Sequence, residues 1–164
     1  MIKPGILFLA SLLLLSGCGF HLRGSSDLAL HVSSVYIETQ GASTLKAEVT
    51  RQLQNAGVSV SSKPGDDALR LVLSNEQFDR RVLSVDPSTG KVREYEVGLK
   101  AKVSARDAQG NNLLKDQDVS QIRDFIFDEN AVLGTYQEEA VLRKELTRDT
   151  AAQVLRLLQA ANAR

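Results

Sequence analysis

The chain has one cysteine, Cys18, which follows the small pair Ser16-Gly17 at the end of an apolar run from Ile6 to Leu15. A thiol placed there, with no second cysteine to pair with, offers acylation rather than a disulfide or a catalytic nucleophile. Two groups of cations stand out next. Lys100, Lys102 and Arg106 recur at even spacing, and Arg80, Arg81, Lys91 and Arg93 surround the segment Asp86-Pro87-Ser88-Thr89-Gly90. Clustered ammonium and guanidinium groups suit anionic oxygens. Glu94 and Glu96 share the parity of the first group, so a solvated strand face is the competing reading. His21 and His31 supply two imidazoles, but a metal needs at least a third ligand and none can be named, so no metal site is expected. Asp66-Asp67 falls in a turn-rich link and Glu138-Glu139 at a helix start, which gives acid-base chemistry no site. No serine stands in a nucleophile elbow, and no glycine-rich loop leads from a strand into a helix. The expectation is a protein that binds, not an enzyme, and one without a cofactor.

The N-terminal residues define where such a protein works. Met1 and Lys3 begin the chain with positive charge, and the apolar run is too short for the ~20 residues that a membrane-spanning helix needs. It reads as a signal peptide. Ser16-Gly17-Cys18 resembles the bacterial lipobox, whose cleavage makes the cysteine the first residue of the mature chain. Buried methylenes contribute about 0.8 kcal/mol each, so a multiply acylated Cys18 holds its membrane stably. Gly19, rather than the aspartate that usually retains lipoproteins on the inner membrane of enteric-type bacteria, points to the periplasmic leaflet of the outer membrane. The expected organisation is a signal peptide over 1–17, a lipidated tether over 18–32 and a single domain over 33–164.

Composition narrows the partners. Lys plus Arg and Asp plus Glu both number 20, so no global field draws the chain to nucleic acid. Five Phe, three Tyr and no Trp make a stacking platform for sugars or single strands improbable.

The elements that must position these residues are marked by turns. Alternation at Val35 and Ile37 predicts a strand over about 33–39, after which Gly41 and Ser43 open a helix. Leu45, Val49, Leu53 and Ala56 share one face of that helix, and Gly57 closes it. Leu69, Leu71 and Leu73 alternate with more polar residues in a second strand that runs to about Val85. The 86–90 turn returns the chain antiparallel. In the third strand Tyr95, Val97, Leu99, Ala101, Val103 and Ala105 point one way, while Glu94, Glu96, Lys100, Lys102, Ser104 and Arg106 point the other. Gln109-Gly110-Asn111-Asn112 predicts another hairpin and a fourth strand through about Phe127. Its parity is mixed: Val119, Phe125 and Phe127 oppose Ile122 and Ile126, which requires either a bulge or burial of both faces near the end. Thr135-Tyr136-Gln137-Glu138 fits a capping box at the start of a long helix with Tyr136, Ala140, Thr147, Ala151, Val154 and Leu158 on its inner stripe. The expected fold is α+β: a two-layer sandwich in the order β-α-β-β-β-α, with a four-stranded, mostly antiparallel sheet and two helices on one face.

The opening Cys18-Gly19-Phe20-His21-Leu22-Arg23 resembles that of the LptE family of lipopolysaccharide-assembly lipoproteins. Glu94-Tyr95, the run Arg123-Asp124-Phe125-Ile126-Phe127-Asp128 and the order of elements resemble it as well. The resemblance implies a non-enzymatic plug in a one-to-one complex with an LptD-type outer-membrane β-barrel, helping it assemble and helping deliver lipopolysaccharide to the cell surface. It also implies that Gly19, Phe20, His21, Leu22 and Arg23 lie beside the membrane. Lipopolysaccharide phosphates would call on Lys100, Lys102, Arg106, Arg80, Arg81, Lys91 and Arg93. Where the family carries basic residues, in a hairpin turn and before the last helix, this chain has Ser88 and Thr135. The alternative reading is a free-standing lipoprotein on the periplasmic face, acting as a lipid-binding protein or as a secretin pilotin.

Overall fold

The computed structural model describes residues 34–162. Cys18 through Arg23 and the rest of the expected signal and tether lie outside the described residues. Strand β1 (Ser34–Gln40) leads into helix α1 (Ser43–Asn55), and a short strand β2 (Ser59–Ser61) follows. Three long strands come next, β3 (Ala68–Val85), β4 (Val92–Arg106) and β5 (Asn112–Ile126), before helix α2 (Val132–Asn162).

The sheet has five strands in the order β2-β1-β3-β4-β5, not the four expected. β2 went unread because three residues with a single apolar side chain carry no period; edge pairing alone makes them a strand. The sheet is mixed, with most of its pairing antiparallel as expected. α1 carries the chain back across the sheet, so both β2 and β3 run parallel to β1, and only the two hairpins β3-β4 and β4-β5 are antiparallel.

The period-2 pattern sorts the faces as read. Val35, Ile37, Leu69, Leu71, Leu73, Val97, Leu99, Ala101, Val103, Ala105 and Val119 are buried under both helices. The main core joins them, Val97 and Leu99 excepted, to Leu45, Val49 and Leu53 of α1 and to Ala151, Val154 and Leu158 of α2. Burial of each leucine contributes about 1.5–3 kcal/mol. A second, smaller cluster of Val97, Leu99, Phe125 and Leu146, flanked by Phe78, Tyr95 and Leu142, holds the far end of the hairpins under α2.

α1 ends as its sequence predicts. Gly57 takes φ +79°, Val58 N–H donates to the Leu53 carbonyl at 3.0 Å, and Gly57 N–H donates to the Gln54 carbonyl at 3.0 Å. This is a Schellman motif, sealed by the buried pair Leu53 and Val58.

The start of α2 differs from expectation. The helix begins at Val132, and Thr135 lies within it: its N–H and its hydroxyl both donate to the Ala131 carbonyl, at 3.1 and 3.3 Å. The hydroxyl is thereby spent on the preceding turn and caps nothing. Tyr136 and Ala140 are exposed, whereas Thr135 and Glu139 are buried. The inner stripe read for the rest of α2, from Thr147 to Leu158, matches.

The mixed parity of β5 has a third resolution, neither bulge nor burial. Pairing with β4 is regular from Gln117 to Ile126, and Ile122 and Ile126, opposite Gly98 and Glu94, stand 54% and 72% exposed on the open face.

Candidate functional site: the open sheet face and the far end of the hairpins

Lys100, Lys102 and Arg106 alternate with the buried Ala101, Val103 and Ala105, so all three lie on the sheet face turned away from the helices. Lys102 Nζ is 3.2 Å from Asp118 Oδ1 across the hairpin, and Arg106 Nε donates to Asn112 Oδ1 at 3.2 Å. Lys100 makes no ion pair among the described residues. It stands with Asn75, Gln77, Lys102 and Asp118 around a shallow cleft of about 450 Å³.

The second basic group does not converge. Arg81 turns to the open face and pairs with Glu96 at 2.7 Å. Lys91 pairs with Glu129 at 2.7 Å in the turn before α2. Arg93 is exposed, and its carbonyl accepts from Phe127 N–H at 2.8 Å.

Arg80 lies on the helix side, because its partner across the hairpin is the buried Val97. There it donates to Glu139 Oε2 at 3.0 Å, with its guanidinium 4.8 Å from the centre of the Tyr95 ring. Glu139, 9% exposed, also accepts from Arg143 Nε at 3.0 Å, and Arg143 lies 5.1 Å from the Phe78 ring centre. Burial pushes the Glu139 carboxyl upward, but the bonds from Arg143 and Arg80 outweigh it and hold the pKa below the ordinary glutamate value. This clasp fastens the first turns of α2 to β3. The Glu139–Arg143 spacing of four residues was visible in the sequence; the contribution of Arg80 was not.

The 86–90 turn is built around Asp86, whose Oδ1 accepts from the hydroxyls of Ser88 and Thr89 and from their backbone N–H groups at 2.9 and 3.0 Å. Those bonds, the Ser88 hydroxyl first, lower the carboxyl pKa to about 2. Tyr95 stacks at 5.9 Å from Phe125 and edge-on at 5.5 Å from Phe127, which stiffens the hairpin next to that turn.

Among the described residues no group of three or more His, Cys, Asp or Glu is placed to hold a metal, and no helix is long and apolar enough to cross a membrane. The described surface carries cations on an open sheet face and exposed apolar side chains at its far end.

Residues 30–158 match the lipopolysaccharide-assembly family LptE. The chain belongs to the LptE family. Its part is therefore in lipopolysaccharide assembly, and the family is one of assembly lipoproteins rather than of enzymes. An LPS-assembly lipoprotein LptE of Pectobacterium atrosepticum is 25% identical over 156 residues, which cover 93% of this chain and 82% of that protein. A lipoprotein B from Nitrosomonas europaea, solved in solution, superposes with a TM-score of 0.74 at 26% identity over 88% of this chain and 93% of its own. The rare lipoprotein B of Shewanella oneidensis shares the fold, with a TM-score of 0.66 at 20% identity over 78% of this chain and 96% of its own. The two solved lipoproteins share the fold of this chain over nearly their whole length.

Proposed function

We propose that this LptE-family chain is an outer-membrane lipoprotein that plugs an LptD-type β-barrel, assists its assembly and helps deliver lipopolysaccharide to the cell surface. Residues 1–17 are removed, Cys18 is acylated in the periplasmic leaflet, residues 18–32 tether the chain, and 33–164 form the plug. Gly19, Phe20, His21, Leu22 and Arg23 lie at the membrane surface beside the lipid. The family match over residues 30–158 carries the reading. An open sheet face with alternating charges supports it, since the interior of a membrane barrel is polar. Lipopolysaccharide is met first at Lys100, which is not neutralised by a carboxylate, and then at Lys102 and Arg106 along the same face. Arg81, Lys91 and Arg93 contribute peripheral charge, and Arg80 is committed to Glu139.

Affinity purification of the C-terminally tagged chain from outer membranes in mild detergent tests the reading. A stoichiometric barrel of LptD type is the expected companion; recovery of the lipoprotein alone, or with a secretin, would refute the plug. The double substitution Lys100→Glu with Lys102→Glu is expected to weaken lipopolysaccharide binding by about tenfold, the scale of one or two lost charge-assisted contacts, with little change in melting temperature. Equal binding by variant and parent would remove this lane from the mechanism.

A further inference from the structure

β3 is hydrogen-bonded on both sides only over its first half. Its pairing with β1 runs from Ala68 opposite Ser34 to Ser74 opposite Gln40, and the last bond on that side is Glu76 N–H to the Gly41 carbonyl at 3.2 Å. Beyond this point β1 has turned away into α1, while β3 continues beside β4 to Val85. Residues 77–85 therefore present one edge whose outward backbone N–H and C=O groups bond no other described residue. The vacant position lies in line with β1 and is about 30 Å long at 3.3 Å per residue.

The side chains at this edge point the same way as the backbone. Val82, Leu83 and Val85 are 49%, 47% and 50% exposed, and residues 82–85 contain neither a charge nor a proline. The arginines just before them are already tied within the chain, Arg80 to Glu139 and Arg81 to Glu96. Sheet edges in soluble proteins are ordinarily guarded by charge, proline or bulges: β5 has a register shift around Lys115 and Asp116 and carries Asp118, Arg123 and Asp124, whereas the β3 edge has register shifts at Val82/Ser84 and Ser84/Val85 but no charge over 82–85. An edge with unspent hydrogen-bonding groups and exposed apolar side chains at its end is a surface to which an extended peptide can add as a strand.

A second copy of this chain is a poor occupant. Antiparallel pairing of two 77–85 edges along their full length is centred on Arg81 and sets two guanidiniums directly opposite each other, which is destabilising. β1 begins at Ser34, beside Ala68, so the vacant edge lies at the opposite end of the long hairpin from the point where the preceding residues join the sheet.

We infer that an extended segment of the partner barrel protein adds to the sheet beside residues 77–85, occupying the strand position that β1 leaves empty. This rests on the plug reading and names the contact by which the plug is held.

The test uses the full-length chain co-expressed with its barrel, with a photo-reactive amino acid in place of Val85, purified through a tag on the chain after irradiation. Cross-linked peptides are expected to map to one continuous segment of the barrel protein. Leu83→Pro and, separately, Leu83→Lys are expected to reduce that cross-link about fivefold or more while leaving the melting temperature of the chain near that of the parent, because proline and lysine are tolerated at edges but oppose strand addition. A complex that forms without the cross-link, or with a cross-link indifferent to both variants, overturns the inference and leaves the plug reading intact. A cross-link to another copy of the chain overturns it as well. Failure of the parent chain to recover any barrel overturns both.

Discussion

The Asp86 carboxyl lies in a surface turn, yet its pKa is lowered to about 2, because the Ser88 hydroxyl and the N–H groups of Thr89 and Ser88 all donate to it. A depressed carboxyl favours the folded turn above the unfolded value of about 3.9 and loses that contribution as pH falls through about 2. Side-chain carbonyl shifts followed by NMR should therefore show Asp86 ionised down to about 2. Ser88→Ala should move the midpoint upward, toward the ordinary aspartate value, and an unchanged midpoint would assign the effect elsewhere. At this scale Lys100, Lys102 and Arg106 were legible as one face, because a strand alternates its side chains whatever surrounds it. Arg80 was not: its carboxylate partner stands 59 positions away and is reached only when α2 folds over β3.

Among the elements, α1 is the best determined by its own residues at its end and the least at its start. Its N-cap, Ala42, supplies no side-chain bond. Glu76 does so instead, accepting from the N–H groups of Thr44 and Leu45 at 3.1 Å each. It reaches them from the irregularity between Ser74 and Gln77, where Asn75 adopts φ 54°. Glu76→Ala is expected to lower the unfolding free energy by about 0.5–2 kcal/mol, the usual value of a cap, with Glu76→Gln losing less. Urea denaturation of both variants measures it, and an unaltered Glu76→Ala midpoint would mean that water caps α1 equally well. The misread start of α2 has a related cause. Asp128 Oδ1 accepts from Asn130 N–H at 2.8 Å and shapes a turn that lets the helix begin at Val132, ahead of the capping sequence at Thr135.

Over the whole molecule, the large apolar side chains left exposed among the described residues are Val82, Leu83, Val85, Ile122, Ile126, Leu133, Tyr136 and Val141. All lie toward the 86–90 end of the hairpins or on the first turns of α2, away from the end at which β1 begins. Exposed apolar side chains gathered at one end of a domain mark a surface for interaction. Cys18→Ala should leave the melting curve of the folded part unchanged and release the chain from the membrane fraction, since a stable anchor needs the acyl chains. A variant that stays acylated and membrane-bound would refute the lipid attachment.

The chain's own residues determined both helices apart from the start of α2, four of the five strands, the buried faces of β1, β4 and the first half of β3, and the turns between them, because these follow from periodicity and turn chemistry that act over a few residues. The opening motif and the element order likewise carried the family resemblance. Tertiary structure alone decided the rest. The three-residue β2 exists only as an edge paired to β1, and the parallel course of β2 and β3 follows from α1 crossing the sheet. Ile122 and Ile126 face outward because the register of β5 leaves them no choice. The half-empty edge of β3 arises because β1 stops at Gln40 while β3 goes on to Val85, a difference of length between strands distant in sequence that no local pattern records.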